Sequence, residues 1–211
     1  MRKMITVKIN GEERQYPQGA TYEDVANDYQ QEYENLIALA ARDGKIRELF
    51  KKLTRDCEVT FFTLKDDVGN KTYVRSATML FLKAVFDVYG REAAQSCRVE
   101  FAIGNGSYIS PKGKINATEE NAAKIRNRMR ELVEAKTPFL KRSYSLDNAM
   151  ELFRKEGMKD KEKLFRYRRG SFVNIYEMDG YYDYYYGYML PNAGYVKWFD
   201  VIAYEDGFML L

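Results

Sequence analysis

The sequence predicts an α+β fold in two parts, and three features carry that expectation. Roughly the first 64 residues read as a hairpin, a helix and further strands; the middle holds a strongly patterned helix with a cap at one end and a proline at the other. The last third is rich in strand formers and contains the run GYYDYYYGYMLPNAG, residues 180–194, which sets six tyrosines in nine positions before a Pro-Asn-Ala-Gly turn.

In MITVKI, Met4, Thr6 and Lys8 alternate with Ile5, Val7 and Ile9, the period of a half-buried strand. Asn10-Gly11 is a two-residue hairpin signal, and RQYP supplies the return strand. Thr21 stands as an N-cap before Glu23 and Asp24, and Tyr22, Val25, Ala26 and Tyr29 fall on one helical face. Asp43-Gly44 separates two short apolar runs, and CEVTFFTL has the aromatic and β-branched content of a strand. The charged, glycine-bearing KDDVGNK, residues 65–71, has no apolar period and reads as a linker, so the expected domains are 1–65 and 66–211.

Beyond that linker, SATMLFLKAVFDVYG is apolar nearly all round, which predicts a buried helix capped by Ser76 and stopped by Gly90. CRVEFAIGNG reads as a strand entering a glycine turn. The clearest helix follows: Thr118 caps it, Glu119 and Glu120 suit its positive end, and Ile125, Met129, Leu132 and Val133 form its stripe before Pro138 ends it. Ser145 caps a shorter helix that stops at Gly157. From Leu164 onward the chain reads as strands, the tyrosine run among them, with Pro191, Asn192 and Gly194 as its turn and Trp198 as a packing anchor beside the last strand.

With 211 residues, 45% hydrophobic and 31% charged, the chain can bury a substantial core. Lys and Arg number 34 against 31 acids, far short of the imbalance that argues for nucleic acid. The N-terminus alternates instead of running apolar, so neither signal peptide nor anchor is expected, and no window approaches the roughly 18 apolar residues of a membrane span. Cys57 and Cys97 lie far apart with no CxxC spacing, which favours two buried thiols in a reducing cytoplasm over a disulfide or thiolate metal site. The chain has no histidine, so imidazole is absent as general base, triad member or zinc ligand.

The order of these elements, from MITVKINGEERQYP to the helix of residues 118–137 and the helix after Pro138-Phe139, resembles the start of threonyl-tRNA synthetases. The resemblance implies a β-grasp, ubiquitin-like TGS domain followed by a two-layer α/β editing-like domain related to that of alanyl-tRNA synthetase. That editing family opens its first helix with HxxxH; here the run RSATMLF puts Arg75 and Met79 at those places. Its second motif, Cys-Gly-Gly-Thr-His before a hydrophobe and proline, aligns with YYGYMLPNAG, so that Tyr185 stands for the cysteine and Met189 for the histidine, while Gly187 keeps a glycine. The resemblance thus implies a vestigial editing pocket at Arg75, Met79, Tyr185 and Met189, with no catalytic and no metal-binding residue. Arginine keeps its proton, tyrosine titrates near 10, and a methionine thioether ligates zinc poorly. The opening segment and the Tyr-Glu-Asp-Gly-Phe ending are also similar to the N-terminal half of the phosphoribulokinase and uridine kinase family, in which a P-loop kinase domain follows. That likeness implies a non-catalytic regulatory or ligand-binding region of a nucleoside kinase, with no cofactor in this chain and ATP and Mg expected only for the absent kinase domain, since GxxxxGK[ST] does not occur.

Other readings stay open at this stage: a metal-independent deacylase of mischarged tRNA, or a simple tRNA or RNA binder. The tyrosines could stack a base or nucleoside, against the commoner reading of a strand with wet hydroxyls. Lys124, Arg126, Arg128 and Arg130, with Arg166, Arg168 and Arg169, could meet phosphates of tRNA-like RNA, against the commoner reading of a solvated face. The turn GNGSY could form an anion nest, against a simple tight turn. Expected partners are the C-terminal kinase domain, a nucleoside or tRNA-like RNA, and a second copy in a homo-oligomer, with no membrane.

Overall fold

The computed structural model describes residues 3–168 and 170–211. The chain divides into two compact units: Met1–Ser76 with Gly187–Pro191, and Ala77–Tyr186 with Asn192–Leu211. The fold is α+β. No helix among the described residues is long and apolar enough to cross a membrane.

The first unit is a β-grasp. β1 (Met4–Ile9) and β2 (Glu12–Pro17) form the expected hairpin, with Asn10 and Gly11 both at positive φ as its two-residue turn requires. Ile5, Val7 and Ile9 are buried, as their alternation predicts. α1 (Tyr22–Tyr29) starts at a capping box in which the Thr21 hydroxyl accepts from the Asp24 amide while the Asp24 carboxylate accepts from the Thr21 amide. Its buried face is Tyr22, Val25, Ala26 and Tyr29. β3 (Ile37–Arg42) and β4 (Lys45–Glu48) turn at Asp43-Gly44, and β5 (Cys57–Thr63) runs parallel to β1. The resulting sheet order, β2-β1-β5-β3-β4, places the first strand beside the last and α1 across the hairpins.

The expected linker is instead helical: α2 spans Asp67–Tyr89. Its start is fixed by Asp66, whose carboxylate accepts from the Thr63 amide and hydroxyl and whose carbonyl accepts from the Asn70 amide. Gly69 marks a close approach; a Cβ there would lie 2.0 Å from the Thr63 carbonyl oxygen. Ser76 is therefore no cap. It lies mid-helix and donates its hydroxyl to the Thr72 carbonyl at 2.8 Å.

The second unit holds two antiparallel sheets. α3 (Arg91–Ser96), which the sequence did not suggest, leads into β6 (Arg98–Ile103) and β7 (Gly106–Ser110), a hairpin closed by a tight turn at Gly104. α4 (Glu119–Glu134) is capped by Thr118 as expected. β8 (Leu140–Ser145) leads into α5 (Leu146–Lys155), capped by Ser145, and α6 (Lys159–Arg166) follows, so Leu164 lies in a helix where a strand was expected. β9 (Phe172–Met178) pairs with β8 and with β10 (Tyr181–Asp183); β11 (Val201–Tyr204) and β12 (Gly207–Leu210) complete the sheet β11-β12-β7-β6. Phe81 of α2 meets Phe208 of β12 with ring centroids 6.1 Å apart, which seats the helix on that sheet.

The tyrosine run departs most from its expectation. Only Tyr181–Asp183 is strand; beyond it the chain leaves the sheet, Gly187 takes φ 134°, and Tyr186 is 87% exposed. The turn at the end is as expected, with the Asn192 side chain accepting from the Gly194 amide at 3.0 Å. Trp198 is 61% exposed and is not a packed anchor. Both cysteines are free and buried, as expected.

Gly69→Ala forces backbone of β5 and α2 apart, so it is expected to cost about 2–4 kcal/mol in urea unfolding, well above the gain a glycine-to-alanine change gives an open helix site.

Candidate functional site

The second unit carries a half-open cavity of about 220 Å³. α2 contributes Thr78 and Leu82, the end of α3 brings Cys97, the start of β6 brings Arg98 and Val99, α6 brings Lys161, and the tyrosine run brings Tyr181, Asp183 and Tyr185. The strand period puts Tyr181 and Asp183 on one side of β10, where both are buried, while Tyr182 turns away.

Asp183 is the central charge. Lys161 Nζ lies 2.7 Å from its Oδ1, the Tyr184 amide donates to the same oxygen at 2.7 Å, and the Tyr181 hydroxyl lies 3.4 Å from Oδ2. Burial raises the Tyr181 and Tyr185 phenols well above their ordinary pKa, and the Asp183 charge adds to the shift in both. The Tyr185 hydroxyl is enclosed, with the Asp183 carboxylate as a polar neighbour. Burial likewise pushes the Cys97 thiol up to about 12, so it is neutral at any physiological pH. Arg98 sits at the rim, donating to the Gln95 carbonyl at 2.7 Å and to the Cys97 carbonyl at 3.1 Å. Among the described residues, no three carboxylate or cysteine side chains gather as a metal site would need.

β10 is held in place by a buried cation. Lys83 of α2 is 2% exposed; its ammonium lies 2.7 Å from the Asp87 carboxylate and 2.7 Å from the Asp179 carbonyl, in the turn that launches β10. Asp87 also accepts from Arg128 Nε of α4 at 2.9 Å.

The four residues expected to form a vestigial pocket have separate roles. Tyr185 lines the cavity, whereas Met79, also in the second unit, is fully buried and does not. In the first unit Arg75 donates to the Tyr188 carbonyl, and a Cβ on Gly187 would lie 2.6 Å from the Arg75 guanidinium carbon, which is why glycine stands there. Met189 is fully buried in the same unit; its amide donates to buried Glu48 at 3.3 Å, and the next amide, Leu190, donates to the Ser76 hydroxyl at 3.0 Å.

The basic residues expected to meet RNA are largely engaged. Lys124 pairs with Glu120 at 2.7 Å, Arg126 with Asp200 at 3.0 Å, and Arg128 with Asp87 and Glu131; Arg130 is exposed. Arg168 lies over the Tyr184 ring at 5.3 Å, Arg166 lies 3.8 Å from Glu162, and Arg169 falls outside the described residues. Sequence reasoning missed Cys97, Lys161 and Asp183 as cavity residues. The one available signal was Asp183, a lone acid inside a tyrosine run.

Along nearly its whole length the chain is similar to threonyl-tRNA synthetases. It is 28% identical over 213 residues to the threonine–tRNA ligase of Thermotoga neapolitana, covering 98% of this chain and 31% of the relative. To the threonine–tRNA ligase of Porphyromonas gingivalis strain W83 it is 25% identical over 194 residues, covering 89% of this chain and 29% of the relative. To that of Symbiobacterium thermophilum it is 25% identical over 213 residues, covering 98% and 32%. The chain therefore spans about a third of the length of the curated relatives it matches. No family model matches it.

Two outcomes follow from the geometry. Truncating Lys83 to alanine removes the buried ammonium while Asp87 keeps Arg128, so a loss of about 1.5–3 kcal/mol is expected in urea unfolding. The raised Cys97 pKa fixes the sign of an alkaline effect. The unfolded thiol releases its proton near 9 and the folded one only near 12, so stability falls as pH rises through that window, by at most about 1.4 kcal/mol per unit. Cys97→Ala should flatten that limb of the urea midpoint against pH.

Proposed function

We propose that the chain is a recognition module on a threonyl-tRNA synthetase-like architecture, binding a small polar ligand in the second unit's cavity and leaving bond chemistry to another domain. The observation that carries this reading is the protonation of the cavity wall. Its thiol and both phenols hold their protons far above neutral pH, and Asp183 is already engaged by Lys161 and a backbone amide. Asp160, which also lines the cavity, lies 3.8 Å from the Arg98 guanidinium, and the chain has no histidine to bring in.

The same wall is suited to holding a molecule. It offers two phenols, a carboxylate and an ammonium set against the apolar side chain of Leu82, the pattern of a binding cleft with a few converging polar groups. A guest that accepts from the Tyr185 hydroxyl gains a hydrogen bond inside the cavity.

The matched stretch makes up 31% of a threonine–tRNA ligase, which supports reading it as one region of a longer protein. By the likeness of its opening and closing segments, we place it as the TGS-like and editing-like regulatory region of a nucleoside kinase of the uridine kinase type. ATP and Mg would then belong to the kinase domain, and uridine is the first ligand to try.

Purified chain incubated with Ser-tRNA(Thr) is expected to release serine at the rate of buffer alone, while uridine gives a calorimetric signal that Tyr185→Phe weakens about tenfold, the worth of one hydrogen bond. Deacylation above the buffer rate overturns the non-catalytic reading, and a uridine signal that Tyr185→Phe leaves unchanged overturns the cavity as its site.

A further inference from the structure

The chain holds two Asn-Gly pairs, Asn10-Gly11 and Asn105-Gly106, and each lies at the two-residue turn of a hairpin. They occupy different places in those turns. Ile9 pairs with Glu12, so Asn10 and Gly11 are the central residues, both at positive φ, and the Glu12 amide is the closing donor. Ile103 pairs with Gly106, so Gly104 and Asn105 are central and the closing donor is the Gly106 amide itself. Their surroundings differ too. Asn10 and Gly11 are exposed, and a Cβ on Gly11 would meet no atom within 4 Å; Gly106 is buried, and a Cβ there would lie 2.8 Å from the Met209 sulfur.

An asparagine followed by glycine is open to attack on its side chain, because no Cβ shields the backbone nitrogen that follows. We propose that Asn10 is a site of spontaneous covalent modification, converting to aspartate and isoaspartate while Asn105 persists. The Gly11 nitrogen gives its proton to hydroxide and attacks Asn10 Cγ, forming a C–N bond; the Cγ–Nδ2 bond breaks and ammonia leaves, which closes a succinimide. Water then opens the ring. Adding at Cγ, it breaks the new C–N bond and yields aspartate; adding at the Asn10 main-chain carbonyl, it breaks the original peptide bond and yields isoaspartate. Neither route changes an oxidation state. The attack needs the Asn10 backbone to leave its turn geometry, so it runs through fraying of the hairpin end, where exposed Glu12 and Glu13 add little packing to resist. At Asn105 the attacking nitrogen must first give up its closing hydrogen bond, and Gly106 must leave its tight seat against Met209 and Leu211. An isoaspartate at position 10 routes the backbone through the former side chain, adding an atom to a turn built for two residues, so β1 and β2 can no longer close in register. The first unit is thereby loosened, whatever the second unit's cavity holds.

The full chain is aged at mildly alkaline pH, digested at intervals and read by mass spectrometry. The peptide carrying Asn10 is expected to gain the mass difference between an amide and an acid at least about tenfold faster than the peptide carrying Asn105, the worth of the bond and packing that Gly106 must break. Part of the product should accept a methyl group from a protein isoaspartyl methyltransferase. Asn10→Gly keeps a pair suited to the turn and removes the amide. It should hold its urea midpoint on ageing, while the unsubstituted chain loses part of its own. An unchanged Asn10, an Asn105 that converts as fast, or an equal midpoint loss in Asn10→Gly overturns the proposal.

Discussion

The second unit depends on one buried cation. A lysine ammonium almost wholly out of water is tolerable only when anions and carbonyls replace its hydration shell. Lys83 meets that condition through Asp87 on its own helix and through the carboxylate and carbonyl of Asp179. The carbonyl fixes the turn before β10, and β10 carries Tyr181 and Asp183 to the cavity. Asp87 passes the constraint on, because it also holds Arg128 and so ties α4 to α2. An arginine that sequence reasoning offered to RNA is thus part of the framework behind the cavity.

The four residues for which the resemblance implied an old pocket play separate structural parts. Arg75 uses its guanidinium to grip the carbonyl of Tyr188, and Gly187 keeps the space into which that guanidinium fits. Met79 and Met189 have closed into apolar packing, the usual role of a flexible thioether. Tyr185 alone faces a cavity, and there it brings a hydroxyl that cannot ionise near neutral pH.

Local chemistry was legible in the sequence wherever a few neighbouring residues decide the backbone. Asn10-Gly11 and Asp43-Gly44 specify hairpin turns because they accept positive φ, and Thr21, Thr118 and Ser145 specify helix starts because their oxygens meet free amides. Gly69 misled for the converse reason: its role is the nearness of Thr63, which no local pattern records. The tyrosine run misled because tyrosine suits a strand, yet β10 has a partner for only three residues and Gly187 then turns the chain away. The cavity was hidden since Cys97, Lys161 and Asp183 come from three elements scattered over nearly 90 positions, and only tertiary packing assembles them.

The pentapeptide Gly187–Pro191 belongs to the first unit although the residues on either side belong to the second. Buried Glu48 accepts from an amide that lies 141 positions further along. During synthesis, the N-terminal β-grasp therefore leaves the ribosome before the piece that finishes it exists, and its last shared bonds form only after most of the second unit has been translated. Cutting the chain between the units cannot yield two whole halves, because each cut strands part of one fold in the other's polypeptide.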